Sequence, residues 1–169
     1  ILSPTRITVS DANLEESVND LSYVLLLETS GGQKIVFAGD AEKLAWDAII
    51  NNWSEKKLGE IDLLIAPHHG RRSGGNDSYL DVLHPKVTFF GNAPGKYLNY
   101  DDWNNRGLLF FTNNEIGSAV VDENMEGLGV YFTNEKFTRD WLKGDKASWN
   151  QSFEAWKALT IKKSGVYYR

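Results

Sequence analysis

Three histidines occur in this chain of 169 residues, and two of them stand side by side in the stretch IDLLIAPHHGRRSGG, residues 61–75. Imidazole is the side chain that titrates nearest neutral pH and the commonest protein ligand for transition metals. Some twenty residues earlier, KIVFAGDAEK carries Asp40 directly after a glycine. Carboxylate oxygen and imidazole nitrogen both bind Zn²⁺ at about 2.0–2.2 Å, and a carboxylate can bridge two cations. Two such cations roughly 3.5–4 Å apart generate hydroxide at neutral pH and neutralise charge on a phosphoryl oxygen. Asp40, His68 and His69 are therefore the candidate metal ligands, and Asp40 with one histidine of the pair the candidate catalytic groups. Each has a structural alternative. Asp40 before a helix would serve as a simple N-cap, and one of the two histidines would satisfy buried backbone groups. The third, His84, precedes Pro85 and is expected only to end a helix.

The elements that must position these residues are legible from periodicity. Residues 22–28, SYVLLLE, and 34–38, KIVFA, are apolar runs around a Gly-Gly turn and predict a β-hairpin. After Gly39-Asp40 the spacing of Ala41, Leu44, Ala45, Ala48, Ile49 and Trp53 predicts an amphipathic helix. Residues 61–66, apolar except for Asp62, predict a strand covered on both faces. Asp40 and the histidine pair thus both follow strands, where α/β sheets place their ligands. A short helix at 78–83, a strand at 86–90, a short helix at 101–105 and strands at 108–112, 117–121 and 129–132 complete the pattern. The tail, residues 133–169, is rich in Trp and Lys; Trp149, Phe153 and Trp156 fall on one face of a helix expected at 148–159.

Composition narrows the chemistry. The absence of cysteine removes disulfides and thiolate metal sites, so a metal must rest on His and carboxylate. A net charge of −5 argues against a broad basic surface for wrapping duplex nucleic acid, though not against a local basic patch. The longest apolar run is far short of the roughly 20 residues of a membrane span. The opening ILSPTRITVS is not a signal peptide and lacks an initiator methionine. A start within a longer natural chain is expected, with the compartment undecided and the cytoplasm favoured.

The order of these motifs, NDLSYVLLLETSGGQKIVFAGDAE, IDLLIAPHHG and HPKVTFFGN, resembles the second half of the metallo-β-lactamase fold, most closely the branch containing the ComEC-type hydrolase domain of DNA-uptake proteins. The resemblance covers roughly residues 1–132. It implies an α/β fold, the C-terminal half of a four-layer αββα sandwich with a mixed sheet and flanking helices. It also implies two divalent metal ions, zinc or sometimes manganese, with Asp40 as bridging ligand, His69 as terminal ligand and His68 supporting it. The expected reaction is hydrolysis of a phosphodiester, by a nuclease or phosphodiesterase acting on nucleic acid or a nucleotide. Residues 133–169 are then an aromatic-rich extension that packs on the domain or on a protein partner.

The sequence departs from the family pattern in three places. The principal motif, His-x-His-x-Asp-His, is absent, so the remaining ligands are expected from an N-terminal half of the fold. If the intact protein lacks that motif, a non-catalytic interaction domain on the same scaffold is the alternative. Asn99, in YLNY, stands where relatives carry a histidine; an amide can bind a phosphate oxygen but cannot donate a proton as imidazolium does. Arg71 and Arg72 replace small hydroxyl residues, and a guanidinium fork suits a phosphate. Arg71, Arg72 and Asn99 are the candidate substrate contacts, with Lys96 and Arg106 as extensions of the patch.

Overall fold

A computed structural model describes residues 1–53, 55–72, 77–143 and 147–168. A first helix not anticipated from periodicity, α1 (Arg6–Leu14), starts where the Thr5 hydroxyl accepts from the Thr8 amide at 3.0 Å. The expected hairpin follows as β1 (Leu25–Glu28) and β2 (Lys34–Phe37), antiparallel, with Leu25 opposite Phe37. Its turn needs Gly32, whose φ of 76° is in the left-handed region that disfavours side chains.

From there strands alternate with helices: α2 (Lys43–Asn52), α3 (Glu55–Leu58), β3 (Leu63–Ile65), α4 (Tyr79–Leu83), β4 (Val87–Phe90), α5 (Tyr100–Asn105) and β5 (Phe110–Thr112). The strands pair in the order β1-β2-β3-β4-β5, antiparallel only at β1 and parallel from β2 onward. This is the mixed sheet the alternating periods imply. One of its faces buries Val36, Leu64 and Phe90 against Trp46 and Ile49 of α2, Leu80 and Leu83 of α4 and Trp103 of α5. Trp103 also donates its indole N–H to the Thr88 hydroxyl at 3.0 Å, which pairs two buried polar groups of this layer, whereas the Trp46 indole N–H is buried with no partner among the described residues.

The rest of the chain, α6 (Asn113–Ile116), β6 (Ala119–Asn124), β7 (Gly127–Phe132), α7 (Glu135–Trp141), β8 (Ser148–Asn150), β9 (Ala155–Lys162) and β10 (Gly165–Tyr167), builds a second, antiparallel sheet. Its order is β10-β9-β7-β6, with β8 beside β9. The two sheets meet through Ile35, Leu63, Val87 and Phe89 on one side and Leu128, Val130, Phe132, Leu159 and Ile161 on the other. α7 sends Trp141 into the same cluster, edge-on to Phe111 with ring centroids 5.0 Å apart. The molecule is thus an α/β sandwich with helices flanking a mixed sheet.

The tail differs from expectation in type. Residues 148–159 are not a helix; they belong to β8 and β9, and the described helix of the tail lies earlier, at α7. Trp149 and Trp156, seven apart, mimic a helical stripe but are cross-strand partners with rings 5.2 Å apart. Asn150 fixes the intervening turn by accepting from the amides of Ser152 at 2.9 Å and Phe153 at 3.2 Å. Paired aromatics and a β-prone ALTIK segment outweigh the apparent 3.6 period. β9 is hydrogen-bonded between β7 and β10, so the strands of the tail extend the sheet that β6 and β7 begin.

Candidate metal centre

Asp40 and the His68-His69 pair come together just past the C-terminal ends of β2 and β3, which are adjacent parallel strands. His69 Nε2 lies 3.7 Å from Asp40 Oδ1, and the two side chains are 48% and 46% exposed. That separation is too long for a hydrogen bond. Beside them His68 Nδ1 lies 2.7 Å from Glu42 Oε1, in a much less exposed pair. The contact is short, yet His68 Nδ1 makes no well-directed hydrogen bond. Glu42 Oε1 is also held at 3.0 Å by the Asn19 amide.

The backbone under the pair is unusual. His68 has φ 46° and ψ 44°, and His69 has φ 60° and ψ 14°, two consecutive non-glycine residues in the left-handed region. Each such residue costs about 1–3 kcal/mol and persists only where its surroundings over-determine it. Here the His68 amide donates to Gly39 O at 2.9 Å, tying the end of β3 to the Gly-Asp turn after β2. On the other side, a Cβ built on Gly91 would sit 2.6 Å from His69 Nδ1, so the ring occupies space that only glycine leaves open.

The capping role considered for Asp40 is filled by another residue. Asp20, 2% exposed, accepts from the amides of Glu42 and Ala45, each at 3.0 Å, and from Ser17 Oγ at 2.6 Å. It caps α2 from outside the helix, and Glu42 at the N-cap position uses no side-chain bond of its own. Among the described residues nothing donates to the Asp40 carboxylate, whose nearest titratable neighbour is His69. His84, by contrast, is the left-handed C-cap of α4 before Pro85, as its sequence implies.

The candidate substrate residues are placed less uniformly. Arg71 forms an isolated β-bridge with Leu98, and the Arg72 amide donates to Tyr97 O at 3.0 Å, so both arginines lie along the 97–99 segment. The Arg72 guanidinium is paired with Asp101 on the surface. Arg71 lies 5.6 Å and Lys96 Nζ 4.7 Å from the centre of the Tyr97 ring, a local cluster of positive charge. Arg106 does not extend that patch, because its guanidinium grips Asp81 at 2.6 and 2.9 Å. Nor is the Asn99 side chain on offer to a substrate: the residue is 5% exposed, and its amide nitrogen donates to Asp77 at 2.7 Å and to Asp102.

Periodicity did not point to Asp20, Asp77, Asp102 or Gly91. The local strings SVNDLS, GGND and YDDW offer turn-type acids, and only the tertiary pairing distinguishes these from ordinary surface carboxylates. No family model matches the chain, and no curated protein sequence matches it.

Proposed function

We propose that this chain is the C-terminal part of a metal-dependent hydrolase that cleaves phosphodiesters, built on the second half of a four-layer metallo-β-lactamase sandwich. The observation that carries the reading is the Asp40–His69 pair, half exposed and 3.7 Å apart at the ends of two adjacent parallel strands, with His69 on strained, left-handed backbone. Its donor set fits a divalent ion, since two ligand bonds of about 2.0–2.2 Å reach across such a separation. Asp40 and His69 would hold the ion, and His68, set against Glu42, would support the His69 loop. Zinc or manganese there supplies Lewis acidity toward a phosphoryl oxygen and activates water at neutral pH. Arg71 and Arg72 are then the groups for the charged oxygens of a nucleotide or nucleic acid strand, with Arg72 exchanging its exposed Asp101 partner for phosphate.

Among the described residues no set of three His, Asp or Glu comes together to hold a metal. In this reading the missing ligands come from the N-terminal half of the fold. The shape of the molecule supports that complement. Leu25, Leu27 and Phe37, on the sheet face that packs toward β6 and β7, are 40%, 48% and 42% exposed. Beside them a cavity of about 480 Å³ lies between the sheets, lined by Leu27, Ile35, Phe37, Ile65 and Val121. Its walls include β1 and β6, the edge strands of their sheets. Among the described residues no helix is long and apolar enough to cross a membrane.

The test is elemental analysis of the intact protein with a phosphodiester-cleavage assay, run beside Asp40→Ala. About two metal ions per chain, lost in the variant together with cleavage, is the expected result. Undiminished cleavage in Asp40→Ala overturns it. An intact protein that folds and binds no metal would instead favour the non-catalytic interaction domain, with the uncovered apolar face or the half-exposed Trp149 as its contact.

A further inference from the structure

We propose that Asn99 is a positioning residue, which with the carboxyl pair Asp77 and Asp102 forms a proton-operated tie between Gly70, just after the histidine pair, and Asp77, just before α4. The geometry is specific. The Asn99 backbone N–H donates to Gly70 O at 2.8 Å, at one end of the tie. Its side-chain Nδ2 donates to Asp77 Oδ2 at 2.7 Å, at the other end, and also to Asp102. One buried residue therefore bonds both Gly70 and Asp77, while Tyr97 and Leu98 just before it pair with Arg72 and Arg71.

An amide nitrogen has two protons and serves two acceptors. Bringing both acceptors to the same nitrogen also brings the two carboxyl groups against each other, and two carboxylates in contact cannot both stay charged at low cost. Burial, followed by the hydrogen bond and charge of Asp102, pushes the Asp77 carboxyl up to about 6. The other groups facing it are the Tyr79 hydroxyl, itself pushed up by burial, and Arg106, which is spent largely on Asp81 and touches Asp102 at 3.4 Å. The tie is thus made with one proton shared by the pair. A carboxyl whose folded value is raised above its unfolded one stabilises the closed arrangement at low pH, and that contribution is lost as pH rises from about 4 through about 6.

The tie concerns positioning and stands apart from whether the Asp40–His69 pair binds metal. Its consequence for hydrolysis does rest on that reading: opening the tie between pH 5 and 8 would loosen the backbone pairing of Arg71 and Arg72 with Leu98 and Tyr97. The direct readout is hydrogen exchange of the Asn99 backbone amide, corrected for intrinsic rate, in the metal-free protein. Opening lets the carboxyl return to its ordinary value, so protection is expected to fall about tenfold between pH 5 and pH 8. Asp77→Asn, which keeps the shape and removes the charge, should make protection independent of pH. Asn99→Ala should abolish it; should that variant not fold, Asp77→Asn alone decides. Protection that is flat with pH in the native protein, or equally pH-dependent in Asp77→Asn, overturns the proposal. Failure of metal binding with the pH response intact would overturn only the hydrolase reading.

Discussion

The two ends of the first sheet use the same kinds of side chain to opposite effect. At the end where the parallel strands begin, Asp62 is 3% exposed and accepts from the Lys34 amide at 2.8 Å and from Lys86 Nζ at 2.7 Å. The same ammonium group also donates to Lys162 O at 2.9 Å and Lys163 O at 2.8 Å. All three of its protons are used, and a charge pair from the first sheet is thereby stapled to the β9–β10 turn of the second. At the end where the strands finish, Asp40 and His69 are half exposed and unbonded to each other, and His69 is carried by left-handed backbone. A fully satisfied buried pair serves the fold. An open pair on strained backbone has no evident structural purpose and is where a ligand would be expected.

The largest effect that would sharpen this contrast is at the staple. Lys86→Met should destabilise the protein by about 3–5 kcal/mol, because it leaves Asp62 buried without its cation. Urea unfolding measures the loss, and a change below about 1 kcal/mol would mean that the staple is no more structural than the open pair. The converse substitution is Asp40→Ala. Its carboxylate caps nothing and accepts no hydrogen bond from the described residues, so stability should stay within about 0.5 kcal/mol. Affinity for Zn²⁺ in the intact protein, titrated against a competing chelator, should fall by at least about 100-fold, more than the loss of a merely supporting group. A variant that unfolds but keeps its metal would reverse the assignment of the two ends.

How much of this was legible in the sequence follows the same division. The hairpin, α2, β3 and β4 were readable because each holds one period over its length and is bounded by glycine or proline. The convergence of Asp40 with a histidine of the pair was readable only on the condition that their strands are neighbours, which the parallel pairing of β2 with β3 meets. The tail was misread because Trp149 and Trp156 satisfy a helical spacing by accident while their true partner relation runs across a hairpin. The roles of Asp20 and Asn99 were hidden for a different reason. Asp20 bonds amides 22 and 25 residues away, and Asn99 a carboxylate 22 residues away, contacts that no local pattern encodes.

The finest test concerns which histidine the open end uses. Gly91 does not have positive φ, so alanine fits its backbone, and the change should even gain a few tenths of a kcal/mol through the unfolded chain. The new methyl would fall 2.6 Å from His69 Nδ1 and 3.2 Å from its Cβ and Cγ, so the ring must move by roughly an ångström to restore ordinary contact. His68 is not among the atoms that the methyl meets; its own side-chain neighbour is Glu42. Gly91→Ala is therefore expected to leave the unfolding midpoint nearly unchanged while weakening Zn²⁺ binding several-fold to about tenfold. Gly95→Ala, where the added methyl meets only the Tyr100 hydroxyl at 3.4 Å, serves as the control and should bind like the native protein. If Gly91→Ala binds metal as tightly as that control, His69 is not the ligand. The strained pair would then present His68, with Glu42, in its place, and the open end of the sheet would be built around the less exposed of its two histidines.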